Sequence, residues 1–283
     1  MNFIDISGWQ AGLSLENVFE KNANLHGVIV KATEGNYYVN PHCDGWVREA
    51  RGMGKPWGFY HYLSGGGARE EADYFYRNAS LYFKVGVPAA DYEGDALRKG
   101  TGYLKEFLDR IYELSGVRPL VYCSLSVVQG QDFSAIARDG YKLWVAQYAN
   151  MKYTGIQENP WQSGSVAPFN GYVMHQYSSC GRLSGWSGSL DLDKFWGERS
   201  DWDALVNGGS QPAKKHVNPE IVSEVLDGKY GINEERRKKL EADGYDYDEV
   251  QAKINELYVL AGNIRHYKQE AGEYWSVLAN KIV

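Results

Sequence analysis

The chain has 283 residues, an aromatic content of 14% and a formal net charge of −6. This length suits one large domain and one small domain, and the acidic charge speaks against nucleic acid as a partner. No apolar run is long enough to cross a bilayer, and no basic stretch precedes an apolar run near Met1, so we expect neither stable membrane insertion nor a signal peptide.

Short apolar runs alternate with amphipathic stretches over the first 200 or so residues. The apolar runs predict eight strands: Asn2–Asp5, Gly27–Ala32, Pro56–Leu63, Val85–Tyr92, Pro119–Cys123, Lys142–Tyr148, Gly171–Tyr177 and Leu190–Phe195. The stretches between the earlier strands predict five helices: Ser14–Lys21, Pro41–Met53, Ala68–Leu81, Thr101–Ser115 and Ser124–Ala137. This alternation is typical of a (β/α) barrel. We therefore predict an α/β fold with a barrel domain over residues 1–206.

The last part of this barrel departs from a regular pattern. The segment between Tyr177 and Leu190 is rich in Gly and Ser and has no helical period, which predicts a hairpin and at least one antiparallel pair. Pro88 has no N–H to give to a strand ladder, so we expect it at the first residue of its strand or at a bulge. The barrel is therefore predicted to be irregular.

A composition change marks the end of the barrel domain. Residues 207–216 combine Gly, Ser and Pro and predict a flexible linker. The N-cap residues Asn218, Asn233 and Asp246 then open three short helices. Their apolar positions predict one small core: Ile221, Val222, Val225, Leu226, Leu240, Val250, Ile254 and Leu257. We expect a three-helix module over residues 217–258.

The remaining residues, 259–283, predict a helical tail. Apolar side chains alternate at spacings of three and four from Leu257 to Leu278, a pattern that is typical of helices with one apolar face. Two outcomes stay open for this face. It packs back on its own chain, or it joins two copies of the chain as a homo-oligomer.

Carboxylates stand near the predicted strand ends, where the chemistry of barrel enzymes gathers. Asp5 ends the first strand, Glu34 follows the second, Asp91 and Glu93 end the fourth, and Asp191 opens the last. Alternate residues of a strand point to one face, so the acids of the Asp-Tyr-Glu motif lie side by side and repel each other. A proton donor beside a charged carboxylate is what the cleavage of a glycosidic bond requires.

Aromatic and amide side chains occur near the same strand ends. Those we consider as sugar-binding residues are Tyr60, Tyr62, Tyr122, Trp144, Gln147, Tyr148 and Gln176, with Trp9, Tyr92 and Tyr177 as further aromatic candidates. Among the acids, Glu34 is also predicted to bind substrate. Aromatic rings stack on the apolar face of a sugar, while amides bind its hydroxyl groups. Each aromatic residue taken alone fits a core position better than a sugar-binding one, because side chains of a barrel strand point alternately inward and outward.

We expect no metal and no cofactor. The cysteines Cys43, Cys123 and Cys180 lie too far apart for a zinc site and indicate free thiols. His61 and His175 are isolated between aromatic residues, where a structural hydrogen bond is the expected role.

Seven short motifs occur in order along the barrel domain: Asp5–Gln10, Val30–Gly35, Gly58–Tyr62, Asp91–Glu93, Leu143–Tyr148, Gln176–Tyr177 and Leu190–Phe195. As a set, over about residues 1–205, they resemble glycoside hydrolase family 25, the phage and bacterial muramidases. The resemblance implies an irregular barrel. It also implies cleavage of the β-1,4 bond between N-acetylmuramic acid (MurNAc) and N-acetylglucosamine (GlcNAc) in peptidoglycan.

This resemblance also assigns roles to the acids. Glu93 matches the general acid, and Asp5, Asp91 and Asp191 match the other active-site acids of the family. Asp193 lies in the last motif as well, but the family pattern aligns with Asp191. The resemblance favours attack by the N-acetyl group of the substrate, and the residues themselves leave the stereochemical course open.

Residues 218–258 resemble the CW-seven repeat, which binds the glycan strands of cell walls in phage lysins. Three residues of the matching segments are candidates for wall binding: Tyr230, Arg236 and Tyr245. Tyr230 stands where tryptophan is frequent in the repeat. Together the two resemblances imply a phage-type endolysin that is made in the host bacterial cytoplasm and reaches the peptidoglycan after release by a holin.

Two other classes of function fit parts of the sequence. A metal-dependent barrel hydrolase of cell-wall polysaccharide, such as a deacetylase, would use Asp, Glu and His residues, but no paired histidine motif supports it. A non-catalytic wall lectin would use the aromatic residues alone, and the expected lack of a signal peptide speaks against it.

Overall fold

The computed structural model describes residues 1–206, 217–245, 247 and 249–257. They belong to two compact units, one within Met1–Ser210 and one within Gln211–Val283. The predicted linker at 207–216 and the predicted tail at 259–283 lie outside the described residues. None of the described helices is long and apolar enough to cross a membrane.

Strands of the first unit form one sheet within the described part of the chain. They are β1 (Asn2–Ile6), β2 (Gly27–Glu34), β3 (Tyr38–Val39), β4 (Trp57–Tyr62), β5 (Val87–Asp91), β6 (Leu120–Ser124), β7 (Leu143–Ala146), β8 (Met174–Gly181) and β9 (Leu190–Phe195). All except β3 close into a barrel, because β1 pairs with both β2 and β9. The pairs from β1 to β8 around the barrel are parallel, and β9 is antiparallel to both neighbours. The predicted irregular barrel with a terminal hairpin is confirmed.

Helices occupy the connections of this barrel from β1 to β7, and one more helix follows β9. They are α1 (Leu15–Lys21), α2 (Cys43–Gly52), α3 (Ala68–Ala79), α4 (Gly100–Ser115), α5 (Leu125–Gly130), α6 (Ser134–Arg138) and α7 (Arg199–Val206). The single helix predicted over Ser124–Ala137 is two helices. The first ends at Gly130, and the Asp132 carboxylate then accepts a hydrogen bond from the Ser134 backbone N–H at 2.9 Å, which begins the second.

Pro88 is the second residue of β5, so the prediction that it occupies the first residue or a bulge is wrong. It stands in register with Phe59 of β4. Pairing of β5 with β6 begins only at Ala89, one residue further on. The proline therefore precedes that ladder and interrupts none of its hydrogen bonds.

Aromatic side chains close the end of the barrel where the parallel strands begin. The ring centroid of Trp202 in α7 lies 4.4 Å from that of Phe3 and 5.2 Å from that of Phe195, and all three side chains are buried. Phe195 ends β9 at the level where β1 begins, because these strands are antiparallel. Helix α7, which the sequence did not predict, therefore covers this end, and the opposite end stays open.

The second unit has a small core of its own. Helices α8 (Pro219–Leu226) and α9 (Asn233–Ala242) and the helical residues 249–257 surround it. The predicted N-cap is confirmed at Asn218, whose side chain accepts a hydrogen bond from the Ile221 backbone N–H at 3.0 Å.

Other predictions for this unit are corrected. Asn233 is the first residue of α9 rather than its N-cap, and Asp246 lies outside the described residues. Leu226 and Leu257 were expected in the core but are 49% and 42% exposed.

Candidate active site

A cleft of about 250 Å³ opens at the end of the barrel where the parallel strands finish. It is lined by Asp5, Ser7, Trp9, Lys31, Tyr60, Tyr62, Asp91, Glu93, Tyr122, Trp144, Tyr148, Gln176, Ser179 and Asp191. This is the end at which barrel enzymes place their reactive groups. The structure thus brings together the four acids that the sequence put forward as catalytic and most of the predicted sugar-binding residues.

Strand register explains how the acids meet. Asp5 on β1 stands directly opposite Asp191 on β9 in the antiparallel ladder. Asp91 is the last residue of β5, and Glu93 follows it just before the 3-10 helix Gly94–Lys99. Strand β9 is antiparallel to its two barrel neighbours, so its first residues lie at the mouth of the cleft. Its second residue, Asp191, therefore joins the acids that stand at the ends of the parallel strands.

Asp91 and Glu93 differ in their exposure. Asp91 is 7% exposed, whereas Glu93 reaches solvent. Burial raises the pKa of Asp91 well above its usual range, and the charge of Glu93 raises it further. The pKa of Glu93 is raised as well, because the cleft removes water from its carboxyl group, while the charge of Lys31 opposes this shift. Both groups therefore keep a proton to a higher pH than free carboxyl groups do.

Asp5 is held by a hydrogen-bonded glutamine. Gln176 Nε2 donates to Asp5 Oδ2 at 2.6 Å, and Gln176 Oε1 accepts hydrogen bonds from Tyr122 (2.8 Å) and Tyr148 (2.5 Å). The two hydroxyl donors fix the orientation of the amide, so its N–H must face the carboxylate. Burial and the nearby charge of Asp191 raise the pKa of Asp5 well above its usual range, and the bond from Gln176 opposes this.

The β9 strand carries two inward-facing acids. Burial and the charge of Glu93 raise the pKa of Asp191 to about 6. Two residues further along, Asp193 is fully buried and accepts a hydrogen bond from Trp144 Nε1 at 2.8 Å. The sequence singled out Asp191 and set Asp193 aside, but both lie within electrostatic range of Asp5.

Lys31 is a cleft residue that the sequence reasoning missed. Its Nζ lies 2.5 Å from Glu34 Oε2 and 4.5 Å from the ring centroid of Tyr62. Alternate residues of β2 share one face, so Lys31 lies on the same face as Ile29, but this spacing does not tell which face turns into the barrel.

Glu34 was predicted to contact substrate, but it does not line the cleft. Burial alone would raise the pKa of Glu34, yet hydrogen bonds from Lys31 and from the Tyr37 hydroxyl (2.8 Å) lower it overall. Glu34 is therefore ionised, and its carboxylate holds the Lys31 side chain in place through an ion pair.

The other predicted sugar-binding residues differ in their placement. The hydroxyl-bearing residues of the cleft wall are Tyr60, Tyr62, Tyr122 and Tyr148. Trp144 reaches the same cleft but is 2% exposed, so its indole supports the wall from behind rather than offering a face. Gln147 lies outside this cleft. Its Nε2 donates to the Ser163 carbonyl oxygen at 2.9 Å, and its Oε1 accepts from the Ser163 backbone N–H at 3.0 Å. Trp9, at 91% exposure, is an aromatic side chain on the rim.

Both histidines that the sequence noted have structural hydrogen bonds, as predicted. His61 lies 2.8 Å from Thr33 Oγ1 and 3.3 Å from Glu71 Oε2, and its burial lowers its pKa. His175 Nε2 lies 2.8 Å from the Gln147 carbonyl oxygen. Within the described ranges, no group of three or more His, Cys, Asp and Glu residues could hold a metal ion.

In the second unit, the structure corrects one predicted wall-binding residue. Tyr230 is 4% exposed and donates to Asp243 Oδ2 at 2.8 Å, so its ring belongs to the core and cannot stack on a sugar. Arg236 donates to the Gly231 carbonyl oxygen at 3.0 Å, and Tyr245 packs partly buried against the same core.

An acid-lined, aromatic cleft at the carboxyl ends of the barrel strands provides the paired carboxyl groups that glycoside-cleaving enzymes use. The profile of glycosyl hydrolases family 25 matches residues 4–186, and the profile of the CW_7 repeat matches residues 219–258. The chain belongs to glycosyl hydrolase family 25. This membership supports glycoside hydrolysis over the metal-dependent alternative.

Several known proteins that are similar to this chain are named lysozymes. An autolytic lysozyme of Clostridium acetobutylicum is 25% identical over 93% of this chain and 74% of its own length. The lysozyme of Streptococcus phage Cp-7 is 27% identical over 90% of this chain and 69% of its own length. The crystal structure of a bacterial lysozyme from Streptomyces coelicolor, 23% identical, covers 73% of this chain and 97% of that chain with a TM-score of 0.62, which shows the same fold.

Proposed function

We propose that this protein is a lysozyme of the N-acetylmuramidase type, which hydrolyses the β-1,4 bond between MurNAc and GlcNAc in bacterial peptidoglycan. The observation that carries this proposal is the convergence of Asp5, Asp91, Glu93 and Asp191 in one aromatic cleft of a family 25 barrel. Relatives named lysozyme, among them a phage protein, support the same activity in a phage-type endolysin.

Glu93 is the general acid in this proposal. It is the acid of the pair that reaches solvent, and it lines both the acid-rich cleft and a neighbouring pocket that also borders on Tyr122 and Tyr148. A donor at such a border can reach the oxygen that links two bound sugars. Its raised pKa favours the protonated form that the leaving oxygen requires.

Asp91 and Asp191 act on the sugar that loses the bond. As charge develops at its anomeric carbon, they stabilise the positive charge, or they orient the N-acetyl group so that its oxygen attacks that carbon. Asp5, which Gln176 fixes at 2.6 Å, adds a further negative charge beside Asp191. Water then releases the product sugar.

The identity of the cleaved bond is tested by mass spectrometry of muropeptides. Purified walls are digested, and the new reducing ends are reduced with borohydride. MurNAc reducing ends are expected throughout. GlcNAc reducing ends would show a glucosaminidase, and release of acetate without chain cleavage would show a deacetylase.

Lys31→Met is expected to shift the alkaline limb of the pH–rate profile to higher pH. The positive charge of Lys31 lowers the pKa of Glu93 and of Asp91, so its removal lets Glu93 keep the catalytic proton at higher pH. The measurement is kcat/KM against pH on soluble glycan strands. Lys31→Arg keeps the charge and serves as the matched control, and an unmoved limb in the Met variant would refute this electrostatic role.

We infer that residues 217–258 hold the enzyme on the glycan, because the CW_7 profile matches residues 219–258. A chain truncated after Val206 is expected to lose at least about tenfold in wall binding, since the second attachment point is gone. Sedimentation with purified walls measures this, with Glu93→Gln in both chains to prevent digestion. Equal binding of the two chains would show that the module has another task.

Two further predictions concern assembly and release. Self-association through residues 259–283 is tested by light scattering of the full chain against one truncated at Leu257. Release from the producing cell through a holin is tested by lysis timing with and without a co-expressed holin.

A further inference from the structure

Asp193 is a buried acid that the mechanism above does not use. Its side chain has no exposure to solvent, and it stands in register with Gln176 in the β8–β9 ladder. Oδ1 accepts the hydrogen bond from Trp144 Nε1 at 2.8 Å, whereas Oδ2 is buried and receives no donor from the described groups. An ionised carboxylate with one donor in such a place is costly.

The neighbour of Asp193 inside the barrel is another acid. In the β1–β9 ladder Asp5 pairs with Asp191 and Phe3 pairs with Asp193, so Asp5 and Asp193 are diagonal neighbours. Each carboxyl group lies within electrostatic range of the other. A hydrogen bond between them would satisfy Asp193 Oδ2, and it requires a proton on one of the two acids, because carboxylates only accept.

The surroundings decide which acid carries that proton. Asp5 lines the cleft and accepts the hydrogen bond from Gln176 Nε2 at 2.6 Å, and both features favour its charged form. Asp193 faces no water. We propose that Asp193 is a positioning residue whose protonated carboxyl group donates to Asp5 and holds Asp5 as an oriented carboxylate facing the cleft.

The titratable groups around Asp5 and Asp193 also favour a proton on Asp193. Burial raises the pKa of Asp193 well above its usual range, and the charges of Asp5 and Asp191 raise it further. The bond from Asp193 in turn lowers the pKa of Asp5. Tyr148, after β7, and Tyr177, on β8, also lie within electrostatic range, and burial raises the pKa of both, so they stay neutral.

Two substitutions in the full chain separate a proton donor from a packing residue. Asp193→Asn keeps a donor of the same shape toward Asp5, so kcat is expected within about threefold of the original, with an unmoved pH–rate profile. Asp193→Leu keeps the volume but donates nothing. Asp5 then binds protons more readily, so the acidic limb of the profile is expected to move to higher pH and kcat to fall at least about tenfold.

Infrared difference spectroscopy at pH 7, the original protein minus Asp193→Asn, observes the proton itself. We expect the C=O stretch of one protonated carboxyl group in the difference spectrum. The kinetic comparison rests on the proposed muramidase activity, but the infrared band does not, so an inactive protein that shows the band would refute the activity and still support the role of Asp193.

Either of two results overturns the inference. One is a spectrum that shows the loss of a carboxylate instead of a protonated carboxyl group. The other is an Asn variant whose kcat falls as far as that of the Leu variant, since the charge of Asp193 would then be what matters. If the Leu variant fails to fold, the Asn variant and the infrared band decide the question together.

Discussion

Glu93→Gln is expected to lower kcat on peptidoglycan by about 100-fold to 10,000-fold, the range that a positioned general acid contributes. Glutamine keeps the shape of the side chain but has no proton of suitable acidity for the leaving oxygen. Wall binding should stay unchanged, because the carboxyl group acts on the transition state and the second unit is untouched. Turbidity loss of wall suspensions and sedimentation with walls measure the two quantities separately.

Glu106→Gln provides the matched control for this experiment. Glu106 is an exposed residue of α4, outside the residues that line the cleft, and its substitution replaces the same carboxyl group by the same amide. We expect its kcat to equal that of the original protein. A Glu93→Gln variant with the same kcat as this control would end the assignment of Glu93 as the acid.

Glu71→Ala is expected to destabilise the barrel by about 3–5 kcal/mol, because it leaves buried donors without their acceptor. Glu71 accepts hydrogen bonds from the Ser64 N–H (2.9 Å), the Gly66 N–H (2.7 Å) and the Tyr103 hydroxyl (2.7 Å), and it lies 3.3 Å from His61 Nε2. For a domain of this size the loss corresponds to roughly 10 °C in Tm. Calorimetry measures it, and exposed Glu70→Ala on the same helix should change stability by no more than about 0.5 kcal/mol.

The same residue gives a pH dependence with a definite sign. Burial alone would raise the pKa of Glu71, but the hydrogen bonds from His61, Ser64 and Tyr103 outweigh it and lower the pKa to about 2. The unfolded chain has the ordinary value of 4.5, so the stabilisation is complete above pH 4.5 and is lost as the pH falls toward 2. Glu71→Ala should therefore show a flatter stability curve between these pH values, and equal slopes would contradict the assignment.

The barrel could be predicted because its strands are short apolar runs at regular spacing, bounded by turn residues. Three elements could not be. Helix α7 buries only Trp202 and Leu205, too few positions for a helical period to stand out. Strand β3 has two residues, and its pairing with β2 depends on a turn that apolar spacing does not record. The break between α5 and α6 depends on one local hydrogen bond.

The acids of the cleft could be predicted from the strand ends, but not the groups that surround them. Lys31 stands inside an apolar strand, where the sequence does not tell which face turns inward. The burial of Asp193 results from barrel closure, which no local pattern encodes. Tyr230 was predicted to bind the cell wall because an aromatic ring can stack on a sugar. The packing of the small helical unit buries this ring instead.

Helix α7 has a practical consequence for protein engineering. It packs through Trp202 on Phe3 and Phe195, at the end of the barrel that lies opposite Asp5 and Glu93. Val206, the last residue of α7, therefore lies at the closed end of the barrel. A fluorescent protein or a foreign targeting domain fused after this residue starts away from the entrance for the glycan, which makes Val206 a suitable junction for chimeric enzymes with new bacterial targets.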